Sequence, residues 1–316
     1  MFGVKTQGIC FGHDAVRPLA DLHRHLDGSL RPQTVLELAA DMATSVPDDL
    51  PFFVGMGLPA ALSRFAFTLS LLQQPSAVRR VAAEMCEDAH EEGVGTLEIR
   101  FAPQLHKGAL PEDIVDAALG GVAGRAGLIL CGLYGESPSV LELLVEIAAH
   151  RPGVVGLDLA GGPLSHHRWK MIDYRAAFEA AGQLGMGRTV HAGEGRPPEE
   201  IRTAITVLGA NRIGHGTSLL DDPSVVDLVR SRGVTIEACV TSNLHTGCID
   251  RVEDHPLPKW LDAGVKVCIC TDNTLLSNVN ASEEHAVVST IPGMTSSHID
   301  RSIQMGHAAA FVRANA

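Results

Sequence analysis

Two kinds of apolar pattern alternate along this chain. Short runs rich in β-branched residues end at glycine or polar turn residues, and between them lie longer stretches whose apolar positions recur every three to four residues. The first kind predicts buried strands and the second amphipathic helices packed on them. Strands are predicted at 19–25, 96–102, 128–133, 154–160, 188–192, 212–215, 235–240 and 266–271. Helices are predicted at 76–92, 138–149, 174–184, 198–208 and 223–232. Strand–helix alternation points to a parallel sheet with crossover helices, and eight such strands suit a closed (β/α)₈ barrel.

The interval from Gly28 to Gly95 breaks this rhythm. It holds a helical segment at 31–42, with Pro32 in its first turn, and an apolar segment at 58–72. The second segment reads either as a lid over the barrel mouth or as an added core helix. With no repeat, low-complexity tract or linker in view, residues 1–316 are expected to form one domain carrying a lid insertion at about 29–92.

Polar clusters sit where four of the runs end. The first, Asp21-Leu-His-Arg-His-Leu-Asp27-Gly28, places His23 and His25 on one face of a strand, because side chains alternate with period two. Such a pair also arises by chance. Three further clusters change the odds: Thr189-Val-His191-Ala-Gly-Glu194, Arg212-Ile-Gly-His215-Gly216 and Val267-Cys-Ile-Cys-Thr-Asp272-Asn273. Strand exits are where parallel α/β folds keep their chemistry. His23, His25, His191 and Asp272 offer imidazole nitrogens and one carboxylate, a set that suits one Zn²⁺ with a position left for water, and also Fe²⁺, Co²⁺ or Mn²⁺.

Composition agrees with a single enzyme domain. A chain of 316 residues with 45% hydrophobic content can bury a large core. A net charge of -12 opposes binding to a phosphate backbone, and 4% aromatic residues leave few stacking platforms, so nucleic acid is not an expected partner. Seven cysteines (10, 86, 131, 239, 248, 268, 270) lack CxxC spacing and read as reduced core residues, although Cys268 and Cys270 on one strand face also have metal-ligand spacing. Residues 1–13 carry no basic segment followed by a long apolar stretch, and no run reaches membrane-spanning length. A cytoplasmic protein without a membrane partner is expected.

On these residues the chain resembles the adenosine deaminase family of the amidohydrolase superfamily, from about Leu19 almost to the C-terminus. The matching motifs are His-Arg-His-Leu-Asp-Gly-Ser (23–29), Glu-Ile-Arg-Phe-Ala-Pro (98–103), Leu-Asp-Leu-Ala-Gly (157–161), His-Ala-Gly-Glu (191–194), Arg-Ile-Gly-His-Gly (212–216), Thr-Ser-Asn-Leu-His-Thr-Gly (241–247) and Thr-Asp-Asn (271–273). The resemblance implies a (β/α)₈ barrel with one zinc at its C-terminal mouth, held by His23, His25, His191 and Asp272. It implies that His215 accepts or orients the proton of the attacking water and stabilises charge at the attacking oxygen, that Asp272 points the hydroxide, and that Glu194 protonates purine N1, giving an inosine-type product and ammonia. It further implies that Asp27 contacts the ribose 5′-hydroxyl, that the Gly161 N–H donates to N3, and that Leu58, Leu62 and Phe65 cover the ribose side. Ser242 and Asn243 read as groups holding the loops of His215 and Asp272.

Each assignment has a plainer alternative. Asp27 also reads as a capping residue before the Gly28 turn, and Glu194 as an acid favoured by a helix N-terminus. His166 and His167, in the loop after Gly161, read first as a solvated loop near the mouth and second as a substrate contact. His13, His90, His106, His150, His255, His285, His298 and His307 read as surface or helix-end residues.

Three positions depart from the family pattern. Asn273 stands where many similar sequences have a second Asp that contacts N7; Tyr134 falls where a Met-Arg pair is usual; Ala61 replaces a larger lid residue. The chain also ends soon after Phe311-Val-Arg313, as if a terminal helix were absent. No lysine sits at a strand end to bridge two metals, and the P-C-x-x-C pair of cytidine-type deaminases is missing. The leading expectation is a zinc-dependent deaminase of adenosine or a close 6-aminopurine nucleoside. The others are a same-fold amidohydrolase for a modified adenine or non-nucleoside substrate, and a catalytically silent nucleoside-binding protein.

Overall fold

A computed structural model describes residues 17–311. Cys10, His13 and the segment past Phe311 fall outside the described residues. Eight strands pair in parallel in chain order: β1 (Leu19–His25), β2 (Val94–Phe101), β3 (Gly127–Leu133), β4 (Val154–Ala160), β5 (Gly187–Ala192), β6 (Arg212–His215), β7 (Thr235–Ala238) and β8 (Lys266–Ile269). A parallel bridge between Arg24 and Asp272 joins the exit of β8 to β1, closing the (β/α)₈ barrel.

The helices are α1 (Pro32–Asp41), α2 (Leu58–Leu71), α3 (Pro75–Glu91), α4 (Pro111–Val122), α5 (Pro138–Ala149), α6 (Arg175–Gln183), α7 (Glu199–Thr206), α8 (Pro223–Arg232), α9 (Val240–His245), α10 (Leu257–Asp262), α11 (Ala281–Ser289) and α12 (Ser296–Ala309). Proline in the first turn starts α1 to α5, α8 and α10, where its missing N–H has no helical acceptor to lose. Asp222 caps α8 by accepting from Ser224 N, and Gly233 ends it in the left-handed region at φ 65°.

All eight strands lie within two residues of the sequence expectation at both ends. The expected seventh and eighth run too far, to residues 240 and 271. In the structure β7 stops at Ala238, where Cys239 opens α9, and the chain past β8 turns sharply through Asp272, whose φ is 62°.

The interval between β1 and β2 is helical. One face of α2 packs into the core through Ala61, Thr68 and Leu71, while Leu62 is 44% exposed. The lid and core-helix readings of this segment therefore both describe part of it.

The barrel interior is polar as well as apolar. Buried Arg100 on β2 reaches Asp158 on β4 and Glu237 on β7, each at 2.9 Å, and Arg212 on β6 reaches Glu237 at 2.7 Å. The Arg100 contacts join non-adjacent strands across the barrel, so a layer of paired charges lies beneath the C-terminal mouth.

Candidate active site at the barrel mouth

Four strand exits converge. His23 and His25 come from β1, His191 from β5, His215 from the last residue of β6, and Asp272 from three residues past β8. His25 Nε2 lies 3.2 Å from His191 Nε2, and Asp272 Oδ1 lies 3.6 Å from His23 Nε2 and 3.5 Å from His25 Nε2. Ligands about 2.0–2.1 Å from a tetrahedral zinc stand roughly 3.3 Å from one another, so these spacings suit four donors around one ion. Two triplets, His23–His25–His191 and His23–His215–Asp272, have ligand atoms close enough to hold a metal. His23 Nε2 is buried and lacks a hydrogen-bond partner among the described residues, as expected of a nitrogen meant for a metal. The donor set thus fits the implied ion.

Charge beneath the site tunes these rings. Glu237 lies 2.7 Å from His23 Nδ1, and Asp158 lies 3.1 Å from His191 Nδ1. A carboxylate on the far nitrogen fixes the ring so that Nε2 is free to ligate. Burial, with Arg100 next in size, lowers the pKa of His23 well below the usual imidazole range; burial and then His191 do the same to His25. Both are therefore neutral, the form that binds metal. Burial also pulls His191 down, but Asp158 outweighs it and leaves the pKa raised.

Glu194 follows β5 and lies 5% exposed in the cleft wall, with Oε2 3.9 Å from His215 Nε2. Burial raises its pKa despite Arg196 nearby, favouring the protonated carboxyl that a general acid needs. Burial pushes His215 down to about 3, so its ring is neutral. His215 and Asp272 both occupy the left-handed region, at φ 68° and 62°. Non-glycine residues held there store strain that marks functional sites. Ser242 on α9 donates to Asp272 Oδ2 at 2.5 Å, and Asn243 lies 3.0 Å from His215 Nδ1, so both hold the loops assigned to them.

A cleft of about 440 Å³ opens above these groups, lined by Asp27, Leu58, Leu62, Phe65, Gly161 and Asn273 together with His25, His191, Glu194, His215 and Asp272. Its size suits a nucleoside-sized molecule. The Asp27 carboxyl is buried, raised to about 6 by that burial, and Oδ1 has no partner among the described residues. Asn273 Oδ1 is equally unpartnered, and a Cβ on Gly28 would stand 2.0 Å from it, so only glycine admits this amide. Gly161, at φ 74°, presents its backbone at the cleft.

Other cleft residues escaped the sequence reading. Phe52, Leu69 and Leu105 line it without any motif, and Thr246 lines it from the 241–247 motif, where it was given no role. Tyr134 is buried, and its hydroxyl donates to the His191 carbonyl at 2.8 Å. The Arg196 guanidinium lies 5.9 Å from the Tyr134 ring centroid, so a cation stands beside this rim although none occupies position 134. His167 lines the cleft in place of a purely solvated loop, and Cys268 and Cys270 lie away from it, packed with Ala20, Leu22 and Cys239. His106 and His255 are not surface residues; their exposures are 1% and 3%.

The sequence model of the adenosine deaminase family matches residues 18–316. An adenosine deaminase of Serratia proteamaculans is 34% identical over 95% of this chain and 95% of that protein. Among solved structures, an adenine deaminase from Arthrobacter aurescens superposes with a TM-score of 0.85 at 23% identity, covering 94% of both chains, a likeness of fold. The N6-methyl-AMP deaminase of Arabidopsis thaliana superposes with a TM-score of 0.81 at 25% identity, covering 93% of this chain and 92% of that one.

Proposed function

This chain belongs to the adenosine deaminase family, hydrolases acting on carbon–nitrogen bonds, and we propose that it deaminates adenosine or a closely related 6-aminopurine nucleoside to the inosine-type product and ammonia. Family membership sets aside the silent binding protein. The single observation that carries the reading is the meeting of three imidazoles and the Asp272 carboxylate opposite a buried Glu194 at one mouth of the barrel.

His23, His25, His191 and Asp272 would hold one zinc ion. When bound, such an ion lowers the pKa of water to ~7 and so supplies a nucleophile near neutral pH. Glu194 gives its proton to purine N1 as oxygen adds to C6, so that negative charge does not build in the ring. His215 and Asp272 hold the attacking water on the C6 face. The C6–N6 bond then breaks as the nitrogen takes the proton of the oxygen added at C6 and leaves as ammonia, and a C6 carbonyl remains. Asp27 accepts from the ribose 5′-hydroxyl, the Gly161 N–H donates to N3, Asn273 faces N7, and Leu58, Leu62 and Phe65 cover the sugar. We take residues 1–316 as one domain in which the insertion at about 29–92 supplies this cover.

Asp27 separates the candidate substrates. A buried, unpartnered carboxyl accepts a hydroxyl but repels a 5′-phosphate. Purified zinc-replete protein should deaminate adenosine and 2′-deoxyadenosine with kcat/KM well above that for adenine, AMP or N6-methyl-AMP. Preference for adenine or a nucleotide would overturn the nucleoside assignment while leaving the deaminase.

A further inference from the structure

His215 is held by a chain of hydrogen bonds that reaches back to the peptide backbone. At its far end the Leu257 N–H donates to His255 Nδ1 at 3.1 Å. A backbone N–H can only donate, so His255 Nδ1 is an acceptor and the ring carries its proton on Nε2. His255 Nε2 lies 3.3 Å from Asn243 Oδ1, and Asn243 Nδ2 lies 3.0 Å from His215 Nδ1. Turning the Asn243 amide over would set its NH₂ against the His255 Nε2–H, donor against donor, so direction passes unchanged along the chain. Asn243 therefore donates to His215 Nδ1, and the His215 proton sits on Nε2, the nitrogen facing Glu194 and the His23–Asp272 cluster. All three members are buried, with exposures of 3%, 0% and 1% from His255 to His215, and the Trp260 ring packs edge-on against His255 at 5.2 Å. Water cannot reach them to reverse the order.

We propose that His255 and Asn243 are positioning residues that fix His215 as a hydrogen-bond donor through Nε2, so that His215 stabilises charge on the attacking oxygen and does not remove its proton. The inference rests on the reaction assigned above for the role of His215, but the proton's position can be read without turnover.

The test uses zinc-replete protein labelled with ¹⁵N-histidine, in which two-bond ¹H–¹⁵N correlations report the protonated nitrogen of each ring, alongside steady-state kinetics on adenosine. Wild type should show both His255 and His215 protonated on Nε2. Asn243→Asp replaces the donor by an acceptor of the same shape; it should move the His215 proton to Nδ1 and lower kcat roughly 10²–10³-fold, the usual cost of losing one preorganised donor, with KM little changed. His255→Leu should lower kcat, and His255→Gln, whose amide can still donate to Asn243, should recover most of that loss. A wild-type His215 protonated on Nδ1, or an Asn243→Asp enzyme with undiminished kcat, would overturn the proposal. Wild-type protein with both protons on Nε2 that deaminates nothing would uphold the relay and overturn the assigned reaction.

Discussion

At the scale of single residues, the site works by placing charge where the chain can shield it. The His23 and His191 rings are set by Glu237 and Asp158, and those carboxylates are set in turn by Arg100. Glu237→Gln should weaken zinc affinity about 10–100-fold, the usual effect of removing a ligand's partner, in a competition titration against a chelating dye. Unchanged affinity would mean that the Glu237 contact is structural only. The proposed ligands were singled out in the sequence because each is a polar residue near the exit of an apolar run. Glu237, Asp158 and His255 were not. The first two are single ionisable residues inside strands, and only barrel closure shows that they face His23 and His191 across the interior. His255 precedes a proline in an irregular segment, where nothing local signals burial.

At the scale of elements, function rests on two attachments. The first is α2, which brings Leu58, Leu62 and Phe65 over the cleft. Its apolar run stood out in the sequence, but its place above the mouth depends on tertiary packing. Leu62 is 44% exposed, so Leu62→Ala should leave thermal stability nearly unchanged and raise KM for adenosine about fivefold, worth about 1 kcal/mol of lost apolar contact. The second is α11, whose Glu284 accepts from the Thr241 N–H at 3.1 Å and from the Thr241 hydroxyl, holding α9 and with it Ser242 and Asn243. Burial raises the Glu284 pKa from its ordinary 4.5 to about 7. The folded state then keeps a proton that the unfolded state releases between these values, so this group's contribution to stability falls as pH rises from 4.5 to about 7. Glu284→Gln removes the titration. Denaturant melts at pH 5 and pH 8 should show the variant gaining on wild type by on the order of 3 kcal/mol at the higher pH. A difference independent of pH would contradict the raised pKa.

At the scale of the whole molecule, barrel closure turns four strand exits distant in sequence into one cluster. The fold was legible because eight apolar runs alternate with helices, and the last two ran long only because α9 and the Asp272 turn interrupt apolar sequence without a glycine or proline to announce them. Among the described residues no helix is long and apolar enough to cross a membrane. Since the donors proposed for the ion come from β1, β5 and the exit of β8, bound metal should tie the barrel together. Zinc at one hundred times its Kd should stabilise the protein by about 2.7 kcal/mol, with the melting temperature falling on chelation and returning on zinc addition. The direct measurement is the ultraviolet change on mixing adenosine with zinc-replete wild type and with Glu194→Ala, zinc content being assayed in both. Conversion to inosine by the wild type, with the variant roughly 10²–10⁴-fold slower at equal zinc occupancy, is the predicted result. Zinc bound at one per chain with adenosine left unchanged by the wild type, or a Glu194→Ala protein as fast as wild type, would contradict it.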